Sequence, residues 1–245
     1  MLIIKIGGSV ITDKNQYKKL KIDNLENIIN ELPKKDFILI HGAGSFGHYL
    51  SEIHNLNGGI LNNEKYFSIV SKDVLELNNI ILDKLIENGI NSISLPIHSF
   101  HIVGSEFNTN LFEKYLRLNF IPVTFGDIIL NPKTGLSICS GDQIAFHLSK
   151  YFRPEKVIFV TDVDGIYDRD PRIEGARLIE EIKGNDNISF GKRGNDVTGG
   201  MENKFRVING IVKLGIPVYV LNGNEKGRLF NAIYDKEFVG TKVMP

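Results

Sequence analysis

The stretch Phe37-Ile-Leu-Ile-His41-Gly-Ala-Gly-Ser-Phe-Gly-His48 decides the reading of this chain. Apolar residues running into a glycine turn describe a buried strand that passes into a helix. Small residues let the backbone come close to something, and the N–H groups that open a helix make a site for an anion. The closing histidine adds a donor for a phosphate oxygen. The chain opens on a second case, Leu2-Ile-Ile-Lys-Ile-Gly-Gly-Ser9, again a strand entering a glycine turn. Two such turns at strand ends point to phosphate handling.

Outward from these turns, apolar runs alternate with helical patterns. Strands are expected at 2–6, 37–41, 92–95, 120–124, 156–161 and 216–221. Helices are expected at 22–32, 46–54, 65–88, 108–117, 141–150 and 201–214. The alternation predicts a mainly parallel sheet covered by helices on both faces. Segment 65–88 places Phe67, Val70, Val74, Leu77, Ile81 and Leu85 at helical spacing, and Ile69, Ile80 and Leu82 widen the stripe. A stripe that wide faces a core and also a partner subunit or ligand. Asn131-Pro-Lys-Thr-Gly135 between two apolar runs reads as a β-hairpin at the sheet's edge. Segment 183–200, rich in Gly, Asn, Asp and Lys, reads as a mobile loop near a site.

Composition narrows the function. At 245 residues the chain suits one large α/β domain or two small lobes. Lys plus Arg equals Asp plus Glu, at 29 each, so there is no basic field for general nucleic-acid binding. One cysteine, Cys139, excludes an internal disulfide and a cysteine metal cluster, and fits a reducing cytoplasm. No apolar run approaches ~20 residues, so no membrane span is expected. An opening inside a strand leaves no sign of a cleaved leader.

Five segments carry chemistry. Gly42-Ala-Gly-Ser-Phe-Gly47 fits G-x-G-x-x-G, a weak match by itself. No strand ending in an acid follows about 20 residues on, which disfavours a dinucleotide. The bland alternative is a tight strand-to-helix turn. Lys5 lies in the first strand, where a lysine needs a partner or snorkels from the sheet end. No G-x-x-x-x-G-K-[ST] occurs, so phosphates would be held by separate glycine turns and lysines. Asp142, in Ser140-Gly-Asp-Gln-Ile-Ala145, opens a helix; it either complements the helix dipole or orients neighbouring lysines. Val157 to Pro171 runs a strand into an acid-rich turn without calcium-loop spacing, and reads as a nucleotide rim with Tyr167 as a base contact, or simply as a turn. Asp196-Val-Thr-Gly-Gly-Met-Glu-Asn-Lys204 leads into a helix with Lys204 in its first turn. Cations normally avoid that position, so Lys204 suits a polyphosphate or is a surface lysine.

In this order the five segments resemble the amino-acid kinase superfamily over nearly the whole chain. His41-Gly-Ala-Gly-Ser-Phe-Gly-His48 and Ser9-Val-Ile-Thr-Asp-Lys14 look like its isopentenyl phosphate kinase branch. The resemblance implies a three-layer α/β/α sandwich in a single domain, 1–245, binding acceptor mostly through about 1–150 and nucleotide mostly through about 151–245. It implies ATP with Mg²⁺ carried on the nucleotide phosphates, isopentenyl phosphate as acceptor, and a homodimer. The implied catalytic set is Lys5, Lys14, His48, Asp142 and Lys204, with Lys5 and Lys204 on the transferring phosphoryl group and Asp142 holding them. Gly7, Gly8, Ser9, Gly44, Thr161, Asp162, Gly165, Ile166, Tyr167, Gly199, Gly200 and Met201 would shape the ATP site. Gly8, Ala43, Gly44, Ser45, Gly47, His48, Ser140 and Gly141 would hold the acceptor phosphate, and Tyr66, Phe67 and Val70 one wall for its tail. The alternatives are a fosfomycin-type phosphonate kinase and a non-catalytic nucleotide sensor.

Overall fold

The computed structural model describes residues 1–56, 59, 63–102, 107–183 and 200–245, the side chains of 200–202 excepted. The segment read as a loop at 183–200 lies almost entirely outside these residues, as does Gly199.

The chain begins with β1 (Leu2–Ile6), α1 (Gly8–Ile11), α2 (Ile22–Glu31), β2 (Phe37–His41), α3 (Gly44–Ile53) and α4 (Glu64–Glu87). It continues through β3 (Ser92–Ser94), α5 (Asn110–Arg117), β4 (Ile121–Phe125), β5 (Asp127–Asn131), β6 (Gly135–Cys139) and α6 (Gly141–Phe152). The rest comprises β7 (Lys156–Thr161), β8 (Ile166–Tyr167), β9 (Leu178–Ile179), β10 (Glu181–Lys183), α7 (Gly200–Val212), β11 (Val218–Asn222), α8 (Arg228–Ile233) and β12 (Gly240–Met244).

Eight strands form one sheet in the order β10-β12-β11-β7-β1-β2-β4-β3. All neighbours run parallel except β11 and β12. β1 is central: its first connection leads to β2 on one side, and the chain later returns to β7 on the other. The carboxyl ends of β1 and β7 therefore flank a topological switch point, where sheets of this kind leave a crevice for ligands.

Alternation along β1 sorts its residues between layers. Leu2, Ile4 and Ile6 pack with α2, the latter half of α4 and α8. Ile3 packs with α5, α6 and α7. Lys5 shares the face of Ile3, and so faces α6 and α7. A third apolar cluster joins the first half of α4 to the hairpin through Phe67, Val70, Val74, Phe125 and Ile128. The widened stripe of α4 is thus divided lengthwise between two cores.

Every expected strand and helix is present, with ends shifted by a few residues. The hairpin requires a correction: β5 and β6 form their own two-stranded sheet instead of an edge of the main one. Gly126 separates β4 from β5, and the start of α6 packs so closely on it that a Cβ there would lie 2.8 Å from Cys139 O and from Gly141 N. Lys204 is the fifth residue of α7, just beyond the first turn, because the helix begins at Gly200.

Candidate active site

Three helix N-termini converge on the switch point. Gly7 and Gly8 turn β1 into α1, Gly42 and Ala43 turn β2 into α3, and Ser140 opens α6. A Cβ on Gly8 would overlap the backbone N and Cα of Gly44, so the first two turns touch backbone to backbone. Gly44 itself has a φ of 51°, which glycine adopts freely. The buried hydroxyl of Thr12 fastens this joint, donating to Gly8 O at 2.8 Å and accepting from Ser45 N at 2.9 Å. At α6 the Ser140 hydroxyl accepts from Gln143 N, and the Gln143 side chain accepts from Ser140 N, a complete capping box.

One carboxylate at this convergence holds two cations. Lys5 Nζ lies 2.6 Å from Asp142 Oδ1, an ion pair without hydrogen-bond alignment. Lys204 Nζ approaches Oδ2 at 3.3 Å and also stands over the Phe159 ring at 5.7 Å. All three side chains are at most 17% exposed. Burial opposes the charge on Asp142, but Lys5 and Lys204 outweigh it and hold the carboxyl well below the usual range. Burial lowers the Lys5 pKa, opposed by Asp142 and reinforced by Lys204. The cluster carries one net positive charge when all three are ionised, at the positive ends of helices, and is suited to a multiply charged anion.

His48 belongs to the first turns of α3 and is accessible within the cleft. Dense protein around its ring, with the Lys5 charge, lowers its pKa and favours the neutral imidazole. His41 differs. It is fully buried, stacks on Phe125 at 5.0 Å and meets Asn78 Oδ1 at 3.4 Å, and burial lowers its pKa to about 4. It therefore packs the end of β2.

The other expected residues divide. Gly7, Gly8, Ala43, Gly44, Ser45, Gly47 and Gly141 lie in the convergent turns; a Cβ on Gly141 would stand 3.3 Å from Lys5 Cε. Ser9 is half-buried and its carbonyl accepts from Lys21 Nζ at 2.8 Å. Thr161 closes a turn onto Val163, and Asp162 is exposed beside it. Gly165 packs on Thr241, whose hydroxyl accepts from Ile166 N at 2.8 Å. The Tyr167 hydroxyl donates to Asp164 at 3.3 Å. Gly200 and Met201 open α7. Phe67 and Val70 are buried in the third cluster with Tyr66 half-buried at its margin, stacked on His54. Lys14 is exposed on the loop after α1, and no contact among the described residues joins it to Asp142.

Sequence reasoning passed over Thr12 and Asp164. Asp164 ties the rim to β11 and α8, accepting from Asn222 Nδ2 at 3.0 Å and Arg228 at 2.5 Å. The second aspartate of Thr161-Asp-Val-Asp-Gly165 was a signal within reach; Thr12 offered none. Two cavities, of about 210 and 560 Å³, flank α6 and share Gln143 and His147. Neither is lined by Lys5, Asp142 or Lys204, which sit instead at the open crevice of the strand ends.

A mainly parallel sheet that gathers two glycine turns and two lysines at its carboxyl ends is the framework of a small-molecule kinase: the chain belongs to the amino acid kinase family, whose model matches residues 1–222. Within that family it is similar to isopentenyl phosphate kinases. That of Thermoplasma acidophilum is 36% identical, covering 99% of this chain and 100% of that one. That of Methanothermobacter thermautotrophicus is 33% identical, covering 99% and 98%. The crystal structure of the T. acidophilum isopentenyl phosphate kinase product complex superimposes with a TM-score of 0.86 at 32% identity, over 99% of both chains.

Proposed function

We propose that the protein transfers the γ-phosphoryl group of ATP to the phosphate of isopentenyl phosphate, giving isopentenyl diphosphate and ADP. The observation that carries this reading is the Lys5–Asp142–Lys204 cluster set among three helix N-termini, with His48 beside it. The similarity to isopentenyl phosphate kinases over nearly the whole chain supports the acceptor.

The chemistry asks little of a base. A phosphate monoester with a second pKa near ~6 is largely ionised at neutral pH and attacks through its own oxygen. The barrier is the approach of two anions: at ~4 Å and an effective dielectric of ~20, each pair of unit charges repels by ~4 kcal/mol. Lys5 and Lys204 offset that repulsion on the transferring group, Asp142 fixes them, and Lys14 neutralises charge from the loop side. His48 donates to the acceptor phosphate, with the turns at Ala43, Gly44 and Gly141 supplying backbone N–H groups. The sole thiol takes no part: burial pushes Cys139 up to about 12, which leaves no thiolate.

Asp142 is occupied by two lysines, and no cluster of three or more His, Cys, Asp or Glu occurs among the described residues. Mg²⁺ therefore fits as an ion carried on the nucleotide's phosphate oxygens, where it supplies charge neutralisation. The rim from Thr161 to Tyr167 would receive the nucleoside, and the acceptor's tail would rest against Phe67 and Val70. A cytoplasmic location suits the single buried thiol, and no described helix is long and apolar enough to cross a membrane. A homodimer completes the reading, with the exposed Leu75 and Ile86 of α4 as candidate contacts.

The test is ADP formation with ATP and Mg²⁺, offering isopentenyl phosphate, dimethylallyl phosphate and fosfomycin in parallel. Rapid turnover of the isoprenyl phosphates is expected. Turnover of fosfomycin alone would overturn the acceptor while leaving a kinase.

A further inference from the structure

Two polar residues, Asp73 and Asn78, interrupt the buried stripe of α4. Asn78 donates to Ser94 at 2.8 Å and meets His41. Asp73 has no accessible surface, and it lies mid-helix, where no helix end favours a carboxylate. Apart from its neighbour Lys72, its partners come from one place. Tyr17 donates its hydroxyl to Asp73 Oδ2, and Lys18 Nζ lies 3.4 Å from Oδ1. Lys18 also pairs with Glu76, one turn further along α4. Burial opposes the charge on Asp73, and Tyr17, Lys72 and Lys18 together keep its carboxyl below the ordinary range.

Tyr17 and Lys18 belong to a closed excursion of the chain. Thr12 and Leu20 form an antiparallel bridge, and Asp13 N donates to Lys19 O at 2.8 Å. Lys18 has a φ of 56°, which a residue other than glycine holds only where its surroundings over-determine it. Tyr17 packs on Tyr49 of α3 at 5.7 Å, and Lys19 N donates to Ser45 Oγ at 3.2 Å. The loop is clamped between α3 and α4. Lys14 stands on it, two residues beyond the Thr12 that joins the two glycine turns.

We propose that Asp73 is a positioning residue for phosphoryl transfer: through Tyr17 and Lys18 it fixes loop 13–19 and so sets where Lys14 stands over the cleft. This rests on the reading of Lys14 as a group that neutralises phosphate charge. Asp73 touches no substrate and acts only through the lysine that its loop carries.

The test is a double-mutant cycle in kcat with ATP, Mg²⁺ and isopentenyl phosphate. Lys14→Ala should lower kcat by about 100-fold and Asp73→Asn by about 10-fold. The double variant should match Lys14→Ala alone, because a displaced loop then has no lysine to misplace. A 10-fold loss repeated in the Lys14→Ala background would show that Asp73 acts through something else, and would overturn the proposal. A wild-type kcat for Asp73→Asn would overturn it as well. A silent Lys14→Ala would instead remove the role of Lys14, and the tether would have nothing to position. If Asp73→Asn does not fold, Tyr17→Phe deletes one donor from a partly exposed side chain. It should cost about threefold in kcat, and nothing further once Lys14 is gone; an equal loss in both backgrounds, or none in either, would overturn the proposal.

Discussion

Asp142 stands in the first turn of α6, where the helix dipole adds to the pull of Lys5 at 2.6 Å and Lys204 at 3.3 Å. Asp73 stands in the middle of α4 with no such help, and its distant partners, Tyr17 and Lys18, come from a loop. In both places cations and donors hold a carboxylate below its ordinary pKa. The difference lies in what the partners carry. Those of Asp142 come from β1 and α7 and meet at the end of the sheet, so the pairing concentrates charge. Those of Asp73 belong to a single excursion, so the pairing fixes a shape. A buried ion pair is thus read from the elements it joins more than from its own geometry.

The contrast is most exposed to Asp142→Asn. Loss of the charge that holds two lysines should lower kcat by about a thousandfold, ~4 kcal/mol at the transition state, as single-turnover kinetics would show. An equal loss from Asp73→Asn would erase the distinction. Acid titration of stability sharpens it. Both aspartates have folded pKa values below their unfolded ones, so their stabilisation is present above about pH 4 and is lost only below it. His41 has the opposite consequence: held near 4 when folded against about 6.5 unfolded, it makes the unfolded state bind more protons between those values. Unfolding free energy should therefore fall by about 3 kcal/mol from pH 7 to pH 4, with His48 adding the same sign. Urea melts across that range would check it, and His48→Ala should keep most of the fall because His41 remains; a flat profile in the wild-type protein would overturn the assignment to His41. His48→Ala should lower kcat/KM for isopentenyl phosphate by about 30-fold, ~2 kcal/mol, and leave ATP affinity in calorimetry unchanged. The smallest effect is expected of Thr12→Val, which removes the hydroxyl joining the glycine turns and should cost about 1 kcal/mol in a thermal melt.

The centre of the sheet was legible because β1, β2, β7 and β11 are short, largely apolar and largely buried runs. Asp142 was legible because it occupies a helix start, where charge has a known physical meaning, and Lys204 because it follows the glycine pair that opens α7, although it falls just beyond the first turn where it was expected. Asp73 was not, because it falls three residues after Val70 and one before Val74, inside a stripe that reads as core. Apart from the adjacent Lys72, its donors Tyr17 and Lys18 lie more than fifty residues away in sequence, and only folding brings them together. The short strands β8, β9 and β10 were missed for a related reason: they draw their order from Thr241 and β12 instead of from a pattern of their own. The hairpin was found and misplaced, because local turn chemistry specifies a hairpin but not the sheet it joins.

The central place of β1 has a consequence for the making of the protein. During synthesis β2 follows β1 closely, but β7, its other neighbour, begins only at residue 156. At ~5–20 residues per second, one edge of β1 waits on the order of ten seconds for its partner. An unpaired strand reading Leu-Ile-Ile-Ile-Ile would be a template for a second nascent chain. The actual strand, Leu2-Ile-Ile-Lys-Ile6, interrupts that apolar run with a charge. A charge inside an apolar strand is the kind of residue that discourages such pairing, and in β1 it is the same Lys5 that later meets Asp142.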